Sequence, residues 1–284
     1  MDKVIGLGDF GCAVAEQLTA YPEYRIYKIN STIDERGSLS IGEYSTIDQY
    51  ENTLDTDEVS IYLRSIKPED EVLFIVEGGT PISGATLKIL RTIRDSRIAV
   101  LYVCPDRQMI SETQKRDDKI VFNVLQEYAR SGAIERVFLV SKPAVDKLVG
   151  DVSIQEYEKS ISYFVAYTIA MYNYFNHTDS VLSNTISPPK IARVTALGVS
   201  SLEEASQDIN FLFPLDEIKD IHFFYGIPAE DMADDTSLIK RIKSHVKTYK
   251  GDEISTSFSV YETTLGDPMV LCIAYSGKIQ AFAS

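Results

Sequence analysis

The stretch Asp70 to Arg94, DEVLFIVEGGTPISGATLKILRTIR, constrains this chain more than any other. Leu73 to Val76 is a wholly apolar, β-rich run, the pattern of a central parallel strand with both faces buried. It stops at Gly78-Gly79. Thr80, Pro81 and Ser83 follow, and Ala85, Leu87, Ile89, Leu90 and Ile93 then recur at roughly helical spacing. The segment reads as strand, glycine turn, helix. Unpaired N–H groups at the helix N-terminus, with the positive end of the helix dipole, make such a turn a natural seat for an anion such as phosphate. A tight strand-to-helix connection in any α/β protein also needs glycine, so both readings stand at this point.

A second glycine turn lies near the start. Residues 3 to 18, KVIGLGDFGCAVAEQL, carry G-x-G-x-x-G at Gly6, Gly8 and Gly11, preceded by a strand and followed by an apolar helical face at Ala13, Val14 and Leu18. That is the context a nucleotide fingerprint requires. Tyr24 to Asn30 reads as the next strand. Its end carries Asn30-Ser31-Thr32 where a dinucleotide enzyme often has Asp or Glu for a ribose hydroxyl, which counts against NAD. Residues 33 to 58 are polar and acidic and read as a loop with a short strand. A helix from Glu58 to Ile66 ends before Lys67-Pro68. Arg97 to Pro105 is a buried strand. Lys115 to Gly132 is an amphipathic helix with apolar Ile120, Val121, Val124 and Leu125, closed by Gly132, and Arg136 to Val140 is again a strand. Such alternation implies a parallel, doubly wound sheet, on which ligands bind at the carboxyl ends of the strands, where both glycine turns lie.

From Ser153 to Tyr174 the chain has no Gly or Pro and is apolar or aromatic almost all round its second half, so it reads as a central connecting helix buried on all sides, ending at Asn176-His177-Thr178-Asp179. After Ser187-Pro188-Pro189 a second region begins. It reads as strand (Lys190 to Leu197), helix (Ser200 to Leu212, with Leu202, Ala205 and Ile209), strand (Asp220 to Tyr225) and helix (Thr236 to Lys247). Strands Glu253 to Tyr261 and Pro268 to Tyr275 follow, paired antiparallel across Thr263 to Asp267. The expected organisation is a nucleotide-binding-like domain over 1–150, a core helix and loop over 151–187, and a smaller α+β domain over 188–284. Asp231, Asp234 and Asp235 are expected to cap and solvate a helix start, and no metal site is expected.

With 42 acids against 28 bases the formal net charge is −14, so the surface should repel nucleic acid and anionic lipid, leaving small molecules and proteins as partners. No apolar run is long enough to insert across a bilayer, and the N-terminus goes straight into a strand, so a cytoplasmic location is expected. Cys12, Cys104 and Cys272 are far apart, without metal-ligand spacing, and are expected as reduced core thiols.

Taken in this order, the features resemble the tubulin/FtsZ superfamily. That family has a glycine loop after its first strand, like Gly6 to Gly11, and an asparagine-bearing loop after its second, like Asn30-Ser31-Thr32. Gly78 to Ala85 looks like a divergent version of its signature G-G-T-G-[ST]-G, Ser153 to Tyr174 like its core helix, and Met269 to Gly277 like its last strand. The resemblance implies an α/β, tubulin/FtsZ-like fold: a parallel Rossmann-type nucleotide domain joined by a long core helix to a smaller α+β domain. It also implies GTP or GDP, with Mg²⁺, held by Gly8, Asp9, Phe10, Gly11, Cys12, Asn30, Gly78, Gly79, Thr80, Ser83 and Gly84. Head-to-tail assembly with itself, or contact with a related filament protein, follows from the same likeness.

In FtsZ-like filaments a neighbour's loop of pattern N-x-D-x-x-D completes hydrolysis. Aligning Asn176 with its asparagine puts Thr178 and Val181 at the acidic positions, which leaves Asp179, one place away, to polarise a water. Pro81-Ile82 stands where the family has one glycine, so the signature loop is longer and lacks an amide donor. No glycine-alanine loop follows the third strand. The implied hydrolysis is therefore weak or absent. Two alternatives remain: a non-enzymatic tubulin-like interaction protein that has lost nucleotide binding, and an NAD- or nucleotide-sensing regulatory domain, because VIGLGDFGCAVAEQL is also similar to the first turn of RCK-type Rossmann domains. His177 is expected to complement the helix dipole. Lys142, Asp146 and Lys147 resemble a family loop near the ribose but also read as a solvated charged turn. Tyr163 or Phe164 would stack on a base or pack in the core.

Overall fold

Six short runs rich in Val, Ile, Leu and Phe make the first sheet: β1 (Lys3–Leu7), β2 (Arg25–Asn30), β3 (Leu39–Ser40), β4 (Glu71–Glu77), β5 (Arg97–Cys104) and β6 (Arg136–Ser141), all parallel, in the order β3-β2-β1-β4-β5-β6. Val72 to Val76 are each at most 1% exposed, which is why β4 reads as an unbroken apolar run. From β1 the chain moves outward to β2, and from β4 it moves the other way to β5. The order therefore reverses between β1 and β4, and the crevice outside their carboxyl ends is the topological switch point where ligands of open α/β sheets bind.

The computed structural model describes residues 1–185, 192–202 and 208–282. The chain divides into two compact units, Met1–Tyr167 and Thr168–Ser284, with the boundary inside one long helix. In the first unit the strands alternate with α1 (Gly8–Gln17), α2 (Ile47–Thr53), α3 (Thr56–Tyr62), α4 (Thr86–Thr92), α5 (Glu112–Ser131) and α6 (Lys142–Val149), and the long helix is α7 (Tyr157–Asn176). A capping box of Ser111 and Gln114 starts α5, and Gly132, at φ +84°, closes it.

In the second unit β7 (Leu182–Ser183), β8 (Val194–Ser200), β10 (Ile218–Pro228), β11 (Ser255–Thr263) and β12 (Met269–Ser276) form a mixed sheet, ordered β8-β12-β10-β11-β7, with β9 (Asn210–Phe211) on β8. After α8 (Ala229–Asp234), α9 (Leu238–Thr248) lays Leu238, Ile242 and Val246 on Phe223, Tyr225 and Cys272 of the sheet. Phe175, near the end of α7, stacks on Phe224 at 5.8 Å and packs against Tyr261 at 4.7 Å. Burial pushes the His222 imidazole down to about 4, and its Nδ1 lies 2.7 Å from Ser257 Oγ. His245 sits between Ser200 and Tyr225, so neither histidine stands at a cavity mouth.

Several expectations need correction. Residues 33–58 contain the helix α2 as well as a short strand. β11 and β12 do not pair with each other: β10 lies between them, parallel to β11 and antiparallel to β12. α7 is not buried all round, since Tyr163 is 56% and Tyr174 44% exposed. Asn210–Phe211 is strand rather than helix, and the middle of the helix expected over 200–212, with Ala205, lies outside the described residues, as do Lys190 and Ser187-Pro188-Pro189. Lys142 to Lys147 belong to α6 and are not a turn. Among the described residues no helix is long and apolar enough to cross a membrane. The three cysteines are free and buried, as expected.

Candidate functional site

At the end of β1 the chain enters α1 within one residue. Gly8, at φ +76°, makes the turn that a side chain would strain, and Leu7, at the N-cap position, offers no side-chain acceptor. The first amides of α1, at Gly8, Asp9 and Phe10, are thus left facing the crevice without a cap. Gly11 serves packing instead. A Cβ there would lie 2.6 Å from the Ile75 carbonyl oxygen, so its absence lets α1 lie close on β4.

A cavity of about 230 Å³ opens at this point, lined among others by Gly8, Asp9, Phe10, Asn30, Glu77 and Thr80, with Glu43, Tyr44 and Tyr50 on the α2 side. Asn30 Nδ2 donates to Asp9 Oδ1 at 2.7 Å, and the Ser31 N–H donates to Asn30 Oδ1 at 2.8 Å, which ties the end of β2 to the start of α1. Glu77, the last residue of β4, forms an ion pair with Lys142 Nζ at 2.7 Å, and the same ammonium lies 4.1 Å from the centre of the Phe10 ring. Burial raises the Glu77 carboxyl above its ordinary range, with Lys142 opposing the shift.

The signature turn is held partly by β5 and partly by its own carbonyls. Gly78 donates its N–H to the Val103 carbonyl at 2.9 Å, and a Cβ there would collide with Tyr102 Oη and Asp118 Oδ1. Asp118 is fully buried, held by Tyr102 Oη and Arg107 Nη1, each at 2.7 Å. Thr80 Oγ1 donates to the Glu77 carbonyl at 3.1 Å. Ser83 gives both its hydroxyl and its N–H to the Thr80 carbonyl, at 2.6 and 3.1 Å. Pro81 opens a 3-10 turn, Pro81–Ala85, that delays α4 until Thr86. Ile82 Cγ2 reaches within 2.9 Å of where a Cβ on Gly8 would sit.

Of the expected site residues, the structure brings Gly8, Asp9, Phe10, Asn30 and Thr80 to one cavity. Gly11, Gly78 and Gly84 sit where packing demands glycine, and Gly79 faces Pro105, Ile110 and Gln114. Ser83 is 1% exposed. Cys12 Sγ points at the Gly6 and Ile29 carbonyls, and burial pushes its thiol up to about 12. Asn176 and Asp179 belong to the second unit. Asn176 Nδ2 donates to the Tyr172 carbonyl at 2.9 Å and His177 Nδ1 lies 2.8 Å from the Asn173 carbonyl, closing the end of α7, while Asp179 is exposed. Tyr163 stacks on Tyr167, is more than half exposed and is not among the residues that line the cavity. Phe164 lines a separate groove with Leu148. Sequence reasoning missed Glu77, Glu43, Tyr50 and Ile82. Glu77 was legible as the polar residue between an apolar strand and a double glycine, whereas Tyr50 needs α2 to be recognised first.

No protein-family model matches this chain, and no curated protein matches it. Solved structures do. A GTPγS-form protofilament of TubZ from Bacillus thuringiensis serovar israelensis matches at TM-score 0.73 and 15% identity over 98% of this chain and 87% of that one. The four-stranded filament of TubZ-Bt matches at TM-score 0.74 and 15% identity, over 97% and 86%. An empty FtsZ dimer of M. jannaschii matches at TM-score 0.68 and 11% identity, over 97% and 88%. The chain therefore has the tubulin/FtsZ fold along nearly its whole length.

Proposed function

We propose that this protein binds a guanine nucleotide, GTP or GDP, in the cavity at the start of α1 and assembles head to tail, with little or no hydrolysis. The observation that carries the reading is the convergence of the uncapped Gly8, Asp9 and Phe10 amides with Asn30 and Thr80 at the switch point of the parallel sheet. A diphosphate would take the α1 amides and the dipole behind them. Asp9, Glu43 and Glu77 put negative charge on the same cavity, which Mg²⁺ carried by the phosphates would offset.

Likeness to TubZ in protofilaments and to an FtsZ dimer supports self-assembly. Exposed Val181 and Leu182, at 62% and 45%, stand beside Asp179 as an apolar contact for the next protomer, and the first unit exposes Met109, 81% open, after β5. Heterologous contacts of this kind generate filaments. Thr178 and Val181 in place of acids leave only Asp179 to orient a water, hence the weak hydrolysis.

Two observations favour a second reading, a tubulin fold emptied of nucleotide that contacts a related filament protein: Ile82 fills space against Gly8, and Glu77 lines the cavity with a carboxylate. Titration calorimetry with GTPγS, GDP, ATP and NAD, with light scattering on the same samples, separates the two. Guanine-specific binding with nucleotide-dependent scattering supports the first reading. No binding of any nucleotide favours the second, and binding of NAD alone overturns both.

A further inference from the structure

A larger recess, about 370 Å³, lies in the same unit where the end of α4 meets the start of β5 and the end of α5. Its floor is apolar, with Leu90, Ile98 and Ile134, and its rim carries Lys88, Arg91 and Arg94 beside a single carboxylate, Glu51. In a chain of net charge −14 three cations around one apolar recess stand out. They are also scarcely neutralised. Arg91 makes no ion pair among the described residues, Arg94 reaches only its neighbour Asp95 at 3.9 Å, and Lys88 reaches only the Asn52 carbonyl at 3.5 Å.

The same unit displays the complementary shape. Between α6 and α7 runs Asp151-Val152-Ser153-Ile154-Gln155-Glu156, in which Ile154 is 96% exposed and Val152 38%. An aliphatic side chain so open, flanked by Asp151 and Glu156, is an apolar peg between two acids. We propose that this loop of one copy docks in the recess of a second copy, with Ile154 on Leu90, Ile98 and Ile134 and the acids against Arg91 and Arg94. Hydrophobic burial supplies the attraction and charge complementarity sets partner and register. Peg and recess are different surfaces of one chain, so the contact is heterologous and can propagate without closing on a two-fold axis. It uses neither the cavity at Gly8 nor the Asp179 to Leu182 loop, so it goes beyond the head-to-tail reading and is tested without nucleotide. A six-residue peg makes a small interface, and the association is correspondingly weak and salt-sensitive.

The native cysteines are all buried, so introduced ones are the reactive ones. Full-length Gln155→Cys and Lys88→Cys proteins, which keep the Ile154 peg, are mixed at about 100 µM, in the range where small interfaces are populated, and treated with a short bismaleimide. A dimer that forms in the mixture and in neither protein alone is expected. Sedimentation in a Val181→Lys background, which removes the apolar head-to-tail contact, without nucleotide, then follows the charges. Arg91→Glu with Arg94→Glu should weaken association at least about tenfold, and adding Asp151→Lys with Glu156→Lys should restore it. A mixture without its specific cross-link, charge reversals without effect, or failure of the reciprocal reversal to restore association would each overturn the proposal, as would a monomer at every concentration.

Discussion

The two glycine turns of this protein look alike on paper and behave differently in the fold. At Gly8 the chain passes from β1 into α1 at once, and the first amides of the helix face a cavity. At Gly78 it leaves β4, gives the Gly78 N–H to the Val103 carbonyl of β5, folds the Thr80 and Ser83 hydroxyls and the Ser83 N–H back on the Glu77 and Thr80 carbonyls, and reaches α4 only at Thr86. Glycine is needed at Gly8 and at Gly79 for a positive φ, and at Gly78 and Gly84 for room against Tyr102, Asp118 and the backbone of Ile47. The same residue type thus marks a turn open to a cavity in one place and a packing turn in the other. What separates them is what surrounds the glycine, a helix start open to a cavity in one place and packed side chains and backbone in the other.

The largest effect expected from this contrast is on stability at the second turn. Gly84→Ala would drive a methyl into the Ile47 backbone, which no rotamer change can move aside, and should lower unfolding free energy by about 3 kcal/mol or more. Urea denaturation followed by circular dichroism measures it, and a change within error would mean that the turn is looser than a packing turn. Next comes Gly8→Ala. Its positive φ costs roughly 1–2 kcal/mol for a side chain, and with Ile82 within 2.9 Å it displaces the α1 amides. GTPγS affinity should fall at least about tenfold, out of proportion to the stability loss. Equal losses of affinity from Gly8→Ala and from a control at Gly79 would erase the distinction between the turns.

The smallest effect concerns Glu77, which borders both turns. Burial raises its carboxyl pKa in the folded protein above the ordinary 4.5, so the folded state keeps the proton to higher pH than the unfolded chain. The stabilisation tied to that proton is complete below about 4.5 and is lost as pH rises through the raised value. An anion beside Glu77 should follow the same trend. Affinity for GTPγS is expected to decline as pH rises across that window, by a few-fold, and Glu77→Gln should bind slightly more tightly and show a flatter profile, read by calorimetry at several pH values. Identical profiles for the two proteins would place the phosphates away from the β4 end.

Much of the fold was legible because burial writes itself into local pattern. Val72 to Val76 had to be a central strand since every side chain is apolar, and Gly132 closes α5 because the helix needs a left-handed residue at its end. α2 was missed because its buried positions, Ile47 and Tyr50, are sparse among acids. Its signal was the capping pattern Thr46-x-x-Gln49, in which Thr46 Oγ1 accepts from the Gln49 N–H. The strand pairing of the second unit was misread because adjacency in sequence suggested a hairpin between β11 and β12, and nothing local reveals that β10 enters between them. The candidate site was half legible. Gly8, Asp9, Phe10, Asn30 and Thr80 meet as the turn patterns imply, whereas Cys12 and Ser83 turn inward.

The sequence by itself determined the alternation of strands and helices and the positions of both glycine turns, because these rest on periodicity and on backbone conformations that only certain residues adopt, while the order of its motifs carried the resemblance to the tubulin/FtsZ superfamily. The tertiary structure decided which turn opens on a cavity and which is packed against its neighbours. Whether a turn is open or filled depends on residues far away in the chain, such as Asp118 and Tyr102 beside Gly78 or Ile82 against Gly8, and a filled volume between distant residues leaves no periodic trace in the sequence.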